Sequence, residues 1–305
     1  MLSSPAIMPS SSHASVERNA VSLIALIVGA AAVGFSPIFV RLSELGPTAS
    51  AFWRVALAAP ALWIWALTCS QNAVKLQRAR ALAVAAVGLS FAGDLSFWHW
   101  SIKLTSVANA TLLANLSVLF VPLATWLLFR KRISTTFLAG LTLALAGTAA
   151  LMGRSFDVNL QRPLGDLLGV VTAMFYSIYL LATKYLRDAG YATATIMSWG
   201  TSITALALLP VAVLSGEEML PHSVYGWSIL LALALISQAG GQTLIAYSLA
   251  KLPAAFSSVA LLLEPVVAAA LAWPLFGERL GTLEIVGAVL VLAGIYIAHK
   301  GSSTS

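Results

Sequence analysis

The segment WPLFGERLGTLEIVGAVLVLAGIYI, residues 273–297, repeats an earlier part of the same chain. A shift of 147 residues places it without a gap on WLLFRKRISTTFLAGLTLALAGTAA, residues 126–150. Apolar segments often match by chance, but these two share glycines, a tryptophan and an arginine in one register, which indicates an internal duplication. The shared positions include Trp126 with Trp273, Arg132 with Arg279, Gly140 with Gly287, and Gly147 with Gly294.

The composition indicates that lipid is much of the solvent. The chain has 305 residues, of which 59% are hydrophobic and only 9% are charged, whereas a soluble domain carries about 25% charged residues. The single cysteine, Cys69, excludes an intrachain disulfide. The net charge of +6 comes from 17 scattered basic residues, too few for a nucleic-acid-binding face.

Ten stretches are long and apolar enough to cross the roughly 30 Å hydrocarbon core, which needs about 20 residues per helix. They are residues 20–41, 48–69, 80–102, 105–128, 133–152, 164–186, 193–214, 225–249, 253–275 and 281–299. The links between them are short, so no soluble domain fits. We interpret the run after Arg18 as a first span rather than a cleaved signal peptide, because further apolar runs follow.

Basic residues predict the orientation, because cytoplasmic loops carry an excess of Lys and Arg. With the N-terminus in the cytoplasm, eleven basic residues lie on that side: Arg18, Lys75, Arg78, Arg80, Arg130, Lys131, Arg132, Lys184, Arg187, Lys251 and Lys300. Five lie on the other side: Arg41, Lys103, Arg154, Arg162 and Arg279. Both termini are therefore predicted to be cytoplasmic.

The duplication divides the spans into two groups of five. The sequence predicts a disordered tail at 1–19, a first repeat at 20–152, a second at 164–299 and a short tail at 300–305. Because five is odd, the second repeat enters from the opposite side, so the repeats are inverted about an axis in the membrane plane. We therefore predict an all-α integral membrane protein with ten transmembrane helices, an organisation typical of transporters.

Two long blocks carry a resemblance to a known family. AYSLAKLPAAFSSVALLLEPVVAAALAWPLFGERLGTLEIVGAVLVLAGIYIA (246–298) resembles the EamA-type repeat of the drug/metabolite transporter superfamily, and SFWHWSIKLTSVANATLLANLSVLFVPLATWLLFRKRIS (96–134) resembles its first copy. In the first copy, FRKRIS replaces FGERLG and Ser117 stands where Glu264 does. The two halves are thus not expected to be functionally equivalent.

The resemblance implies ten helices and the export of small metabolites across the bacterial inner (cell) membrane. Among the members of the superfamily, the chain is most similar to bacterial aromatic amino acid exporters. The partners implied are a small-molecule substrate and the lipid bilayer.

Glu264 is a carboxylic acid near mid-depth in an otherwise apolar run. It lies 11 residues after Pro253, or roughly 16 Å along a helix. A charged group there is costly, so it points toward a bundle interior or water. Pro265 cannot donate to the carbonyl of Leu261, which allows a bend. Glu264 either titrates protons or binds a substrate ammonium, or it is a structural acid bonded to neighbouring helices.

Asp94 is the second acid at mid-depth, and the same two interpretations apply to it. Trp98 shares its helix face one turn later. Trp100 points about 200° away from Trp98 around the helix, so we expect Trp100 and His99 at the outer interfacial belt.

The remaining candidates are polar or aromatic residues on other spans. Thr172, Tyr176, Tyr179 and Thr183 form one helix face, which binds substrate or forms interhelical hydrogen bonds. Gln238 and Gln242 lie one turn apart beside two glycines, Thr111 and Asn115 form a similar pair, and Pro37 marks a possible kink beside Phe39. For Arg54 we favour a structural role, either snorkelling outward or pairing with an acid.

These residues predict an alternating-access exporter of small amphipathic metabolites, above all aromatic or apolar amino acids. The alternative is an exporter of other metabolites or drugs of the same superfamily. The ammonium would be bound by Asp94 and Glu264. The carboxylate would be bound by Gln238, Gln242 and Asn115. The ring would be bound by Phe39, Trp98, Tyr176 and Tyr179, with hinges at Pro37 and Pro265. Export is driven either by protons or by the substrate gradient alone.

Other functional classes are less well supported. No HExxH, GxSxG, P-loop or cysteine pair is present, so we expect neither an enzyme nor a cofactor or metal. A channel would need a continuous polar lining, whereas the polar groups here cluster near mid-depth.

Overall fold

A computed structural model describes residues 11–69, 80–105, 107–130, 133–152, 163–277 and 281–302. The α-helices are Ser11–Gly34, Ser36–Leu42, Pro47–Cys69, Ala81–Leu104, Val107–Ala114, Ser117–Phe129, Thr135–Met152, Pro163–Asp188, Thr193–Leu214, Val224–Ala232, Thr243–Ser248, Ala254–Ala260, Leu263–Phe276 and Thr282–Ser302, and a π-helical segment covers Leu233–Gln242.

These helices form ten segments, among the described residues, that are long and apolar enough to cross a membrane. We number them spans 1 to 10: Asn19–Leu42, Pro47–Thr68, Ala81–Leu104, Ala110–Leu128, Thr135–Met152, Pro163–Asp188, Thr193–Leu214, Val224–Ser248, Ala254–Phe276 and Thr282–Ser302. The predicted all-α fold with ten transmembrane helices is confirmed.

The first helix differs from the predicted start of span 1. It begins at Ser11, so residues 11–19 are helical where the sequence predicted a disordered tail. No proline or glycine follows Pro9 before Gly29, and the helix of the apolar run therefore extends backward without a breaker. Residues 1–10 and 303–305 of the predicted tails lie outside the described residues. So do these basic residues of the orientation argument: Lys75, Arg78, Lys131, Arg132, Arg154, Arg162 and Arg279.

The packing of the spans follows a pseudo-two-fold axis. Spans 2 and 7 pack together, as do spans 4 and 9 and spans 5 and 10, and each pair joins the corresponding members of the two halves. Span 3 packs against span 6, and the counterpart pair, span 8 and span 1, packs in the same way. This exchange of each span with the one five places later is what two inverted five-helix repeats require.

Spans 4 and 9 are both broken at the same point of the repeat. The 147-residue shift carries Val107–Ala114 onto the start of span 9 at Ala254, and it carries the end of span 4 at Phe129 onto Phe276. The breaks fall at residues 115–116 and 261–262. The chain continues across each break through tightened turns, such as the 2.9 Å bond from the Leu119 N–H to the Leu116 carbonyl.

Both helices also end in a left-handed residue. The residue after span 4 is Arg130, with φ of 51°, and its counterpart after span 9 is Gly277, with φ of 68°. A side chain in this conformation costs about 1 kcal/mol, whereas glycine adopts it freely. The difference between FRKRIS and FGERLG therefore leaves backbone strain in the first half only.

The paired glycines bring spans 5 and 10 into backbone contact. A Cβ atom on Gly147 would lie 2.7 Å from the carbonyl oxygen of Gly287, and one on Gly294 would lie 2.7 Å from that of Gly140. Such close approach suits helices in lipid, where packing replaces the hydrophobic effect between helices.

Two glutamates tie the halves together on the membrane face opposite the termini. Glu217, in the loop before span 8, accepts hydrogen bonds from the Thr48 hydroxyl at 3.0 Å and the Ala49 N–H at 2.9 Å, and its carboxylate pairs with Lys103 at 2.8 Å. Glu44, in the loop before span 2, accepts the N–H of His222 at 2.8 Å and bonds to Ser223. We call Glu44, Glu217 and these partners the loop clasp.

These bonds favour the ionised carboxylates. The Ser223 hydroxyl, aided by the backbone N–H groups of His222 and Ser223, holds the pKa of Glu44 below its ordinary value. Burial acts to raise the pKa of Glu217, but the bonds from Lys103, Ala49 and Thr48 outweigh burial, so that this pKa is also lowered. The loop clasp is therefore complete at neutral pH.

Arg130 and Gly277, the two left-handed residues that follow spans 4 and 9, give a matched test of the backbone strain in the first half. Arg130→Gly should raise the thermal unfolding temperature of the protein in detergent, because it removes a cost of about 1 kcal/mol. Gly277→Ala should lower that temperature by a similar step, since a Cβ there meets no atom within 4 Å and only the backbone conformation opposes it. Equal temperatures for Arg130→Gly and the unmodified protein would contradict this account.

Candidate functional site

Arg54 lies inside the bundle on span 2, with only 7% of its surface exposed. Its Nε donates to Oε1 of Gln238 on span 8 at 3.0 Å, and its Nη1 donates to the Ser36 hydroxyl on span 1 at 3.0 Å. The guanidinium also lies 5.7 Å from the centre of the Phe91 ring on span 3. Arg54 therefore bridges the first half to the second and does not snorkel to the surface.

Span 8 supplies its amides from the π-helical segment Leu233–Gln242. The wider turn of a π-helix is rare and often marks a functional site. Ser237, Gln238 and Gln242 are all buried in it, and the Ser237 hydroxyl donates to the Ala32 carbonyl of span 1 at 3.1 Å. Gly241 permits this approach, since a Cβ there would lie 2.7 Å from the Val33 side chain.

Two tyrosines of span 6 lie beside these amides. The hydroxyl of Tyr179 donates to Oε1 of Gln242 at 3.2 Å. The rings of Tyr176 and Tyr179 stack with centroids 5.6 Å apart, and Tyr179 lies 4.8 Å from Phe91. The Tyr176 hydroxyl is buried and has no hydrogen-bond partner among the described residues.

Asp94 on span 3 and Glu264 on span 9 interact with Arg54 through their charges, not through direct contact. Both act electrostatically on the guanidinium, yet none of the three belongs to an ion pair shorter than 4.0 Å within the described part of the chain. One carboxylate oxygen of Glu264 is buried without a hydrogen-bond partner among these residues. One cation and two acids thus surround a common interior without neutralising one another in pairs.

A small cavity opens beside this group. It has a volume of about 10 Å³ and is lined by Phe91 of span 3, Tyr179 of span 6, Thr201 of span 7 and Gln238 of span 8. Its walls therefore come from both halves of the protein. We call Arg54, Phe91, Asp94, Tyr176, Tyr179, Gln238, Gln242 and Glu264 the central cluster.

The predicted hinges lie next to helix breaks but do not coincide with them. The helix of span 9 breaks one turn before Pro265, and the Leu261 carbonyl accepts the Glu264 N–H at 2.9 Å. Span 4 breaks at the equivalent place although Val118 stands where Pro265 does. In span 1 the break is at Phe35, and Pro37 follows at the start of the next helix. A proline therefore follows the breaks in spans 1 and 9, but the break in span 4 forms without a proline at the equivalent position.

Three predicted substrate-binding residues have other contacts than the residues of the central cluster. Phe39 stacks on Phe35 with centroids 6.0 Å apart, Trp98 packs edge-on to His99 at 5.0 Å, and Asn115 lies at the break of span 4. Among the described residues, no hydrogen bond or ring contact joins their side chains to the cluster. Their predicted contribution to substrate binding stays a prediction.

The expectation that His99 lies in the outer interfacial belt is wrong. Its side chain is 2% exposed, and its Nδ1 bonds to the Leu95 carbonyl, whereas Trp100 is 49% exposed as expected. His99 and Leu95 are one turn apart on the face that packs inward. Sequence reasoning separated Trp98 from Trp100 by helix angle but did not apply the same angle to His99.

Sequence reasoning also missed Phe91 and the bridging role of Arg54. Phe91 lies three residues before Asp94, on the same side of span 3, and that spacing was the available signal. The sequence gives no sign of the hydrogen bond between Arg54 and Gln238, because the two residues are separated by 184 positions.

Comparison with known proteins agrees with this architecture. A probable terminal-alkyne amino-acid exporter of Streptantibioticus cattleyicolor is 27% identical over 287 residues, covering 92% of this chain and 93% of the relative. An uncharacterized transporter of Archaeoglobus fulgidus is 26% identical over 286 residues, covering 90% and 95% of the two chains. A probable amino-acid metabolite efflux pump of Salmonella typhimurium is 26% identical over 214 residues, covering 67% and 72%.

A solved crystal structure shares the fold with a TM-score of 0.78 at 17% identity, covering 94% of this chain and 99% of the other. The model of the EamA-like transporter family matches residues 20–153 and 163–299. With both halves matched and ten membrane-crossing helices arranged around a polar interior, the chain belongs to the EamA-like transporter family of membrane transporters.

Proposed function

We propose that this transporter exports small amphipathic metabolites, above all aromatic or apolar amino acids, from the cytoplasm. The observation that carries the proposal is the central cluster, in which opposite charges, amides and aromatic rings from both halves face one interior. A zwitterion needs a group of opposite sign for each end, and a ring needs an apolar wall. Two relatives named as an amino-acid exporter and an amino-acid metabolite efflux pump support the same substrate class.

The proposed orientation follows from the basic residues. With both termini in the cytoplasm of a bacterial cell, the positive-inside rule is satisfied, and the loop clasp closes the external face. The central cluster would then be reached from the cytoplasm in this conformation. Export would need the halves to rock until the clasp opens and the cytoplasmic side closes.

Two versions of the energetics are compatible with the cluster. Protonation of Glu264 or Asp94 would couple efflux to protons, because a bound ammonium and a bound proton compete for the same carboxylate. Export down the substrate gradient would need no such titration. A channel is less well supported, since the loop clasp and the packed aromatic rings interrupt a continuous polar path.

The substrate class can be tested with purified protein in liposomes loaded with unlabelled phenylalanine. External radiolabelled phenylalanine should accumulate by saturable counterflow, whereas a cationic dye of similar size should not, because the cluster is complementary to a zwitterion. Protein-free liposomes give the background. Equal, non-saturable leakage of both solutes would indicate a pore and contradict the proposal.

Substitution of Glu264 distinguishes proton-coupled export from export down the substrate gradient. Glu264→Gln should flatten the pH dependence of phenylalanine counterflow between pH 6 and 8, because the amide cannot release a proton. Glu284→Gln, at the start of span 10 and outside the cluster, is the matched control and should keep the profile of the unmodified protein. A Glu264→Gln variant with an unchanged pH profile would exclude Glu264 as the coupling group.

The loop clasp can be followed by spin labels placed at Arg41→Cys and Leu220→Cys in a Cys69→Ser background. Because the pKa values of Glu44 and Glu217 are lowered, the clasp should persist from pH 7 to 5 and weaken as the pH falls below their ordinary value of 4.5. A combined Glu44→Gln and Glu217→Gln variant should lengthen the label distance at pH 7. Asp188→Asn, whose carboxylate pairs with Lys184 at the end of span 6, lies outside the clasp and should leave it unchanged. Identical distances in all three proteins would show that the clasp does not hold the halves together.

A further inference from the structure

We propose that Arg54 is a substrate-binding residue that takes the carboxylate of the transported molecule, so that the transported class is the free α-amino acids and not their amides, esters or amines. This inference rests on the proposed function and names the substrate class of the same site. It replaces the structural role that the sequence alone favoured for Arg54.

The hydrogen bonds of Arg54 leave part of its guanidinium unused. An arginine carries five N–H donors, and two of them are used, by Gln238 and Ser36. The other three have no acceptor among the described residues. The Nε–H and one Nη1–H are held by the protein. Both Nη2–H groups and the other Nη1–H remain for a further acceptor.

The acceptors that Arg54 does have are both neutral. A buried cation is stable only when its charge is compensated, and a purely structural arginine would be expected to pair directly with Asp94 or Glu264. Neither acid lies within the ion-pair distance of 4.0 Å of Arg54. A planar guanidinium with an open edge matches the geometry of a carboxylate, which it binds through two parallel hydrogen bonds.

The surroundings of Arg54 fit the rest of an amino acid. Glu264 has a buried carboxylate oxygen without a partner among the described residues, which is suited to an ammonium group. Phe91 and Tyr179 form an aromatic wall next to the guanidinium, with ring centroids 4.8 Å apart. A cation, an unpaired acid and an apolar wall together are complementary to a zwitterion with an apolar side chain.

The position of Arg54 would also allow a bound substrate to interact with both halves of the protein. Its side chain is held by Ser36 of the first half and Gln238 of the second. A carboxylate bound to the free edge would therefore sit on the seam between the halves, where rocking changes the geometry.

The test measures equilibrium binding to the full-length protein in detergent by calorimetry, with four related probes. Phenylalanine has both charged ends, phenylalaninamide and phenethylamine lack the carboxylate, and 3-phenylpropionate lacks the amine. The unmodified protein should bind phenylalanine at least ten-fold more tightly than phenylalaninamide, since one charge-assisted hydrogen-bond pair contributes on that order. Arg54→Met should bring the two affinities within about two-fold.

Arg54→Lys and Arg41→Met are the companion variants. Arg54→Lys keeps the charge but not the fork, and should retain part of the preference for phenylalanine. Arg41→Met removes an exposed arginine whose guanidinium stacks on Phe276 at 4.0 Å, and should keep the full preference. If Arg54→Met does not fold, the ratio in the unmodified protein and its reduction in Arg54→Lys decide the question.

The outcomes separate this inference from the proposed function. Equal binding of phenylalanine and phenylalaninamide by the unmodified protein, or an unchanged preference in Arg54→Met, would overturn the role of Arg54 while leaving amino-acid derivatives as substrates. Binding of 3-phenylpropionate as tight as that of phenylalanine, lost in Arg54→Met, would support Arg54 and overturn the assignment to amino acids. Absence of binding by all four probes would overturn both.

Discussion

Hydrocarbon offers no hydrogen bonds, and the rest of this structure follows from that constraint. The backbone of the described spans is helical, with tightened turns at the breaks, and many polar side chains are turned inward. The charged groups at mid-depth, Arg54, Asp94 and Glu264, come from three different spans and meet in the same interior. A site of this kind arises because charged side chains are costly in contact with lipid and are stable only in the interior of the bundle.

The duplication of the five-helix repeat determines the geometry of that interior. Sequence differences between the two repeats determine which polar groups it contains. Corresponding spans pack across the pseudo-two-fold axis, and the breaks in spans 4 and 9 fall at equivalent positions. At the break, however, the first half has Ser117 and the second has Glu264. Symmetry of the backbone thus coexists with a single acid, so that only one of the two equivalent positions carries a charge into the centre.

The sequence predicts the fold well because its signals are local. Span length follows from the rise of a helix and the thickness of the bilayer, and the odd number of spans in each repeat sets the inversion. The glycine pairs at 140/147 and 287/294 lie at seven-residue spacing on one face of their helices and favour close helix packing. The structure shows that these two faces meet each other.

The site is predicted less completely because its contacts are not local. The insertion cost singles out Asp94 and Glu264 from their positions alone, but the bond between Arg54 and Gln238 depends on the placement of spans 2 and 8. The π-helical turn around Gln238 has no signal beyond the neighbouring glycines. The break near Leu116 has no such signal, since Val118 stands where Pro265 does and the next proline, Pro122, lies six residues later. His99 shows the same limit, because an aromatic residue near a span end fits the headgroup region and the interior equally well until the neighbouring helix is known.

The two glutamates on the face opposite the termini act on helix ends as well as on side chains. Glu217 receives the N–H of Ala49, the third residue of the helix that starts at Pro47, and Glu44 receives N–H groups at the start of the helix at Val224. Each half therefore uses its own negative charge to compensate the positive helix dipole of the other half. When the halves separate, two dipole ends and two carboxylates pass into water, where mobile ions screen both within about 8 Å at physiological ionic strength. In the proposed orientation, the ionic strength of the outside medium would therefore help to set how long the protein stays closed on that side.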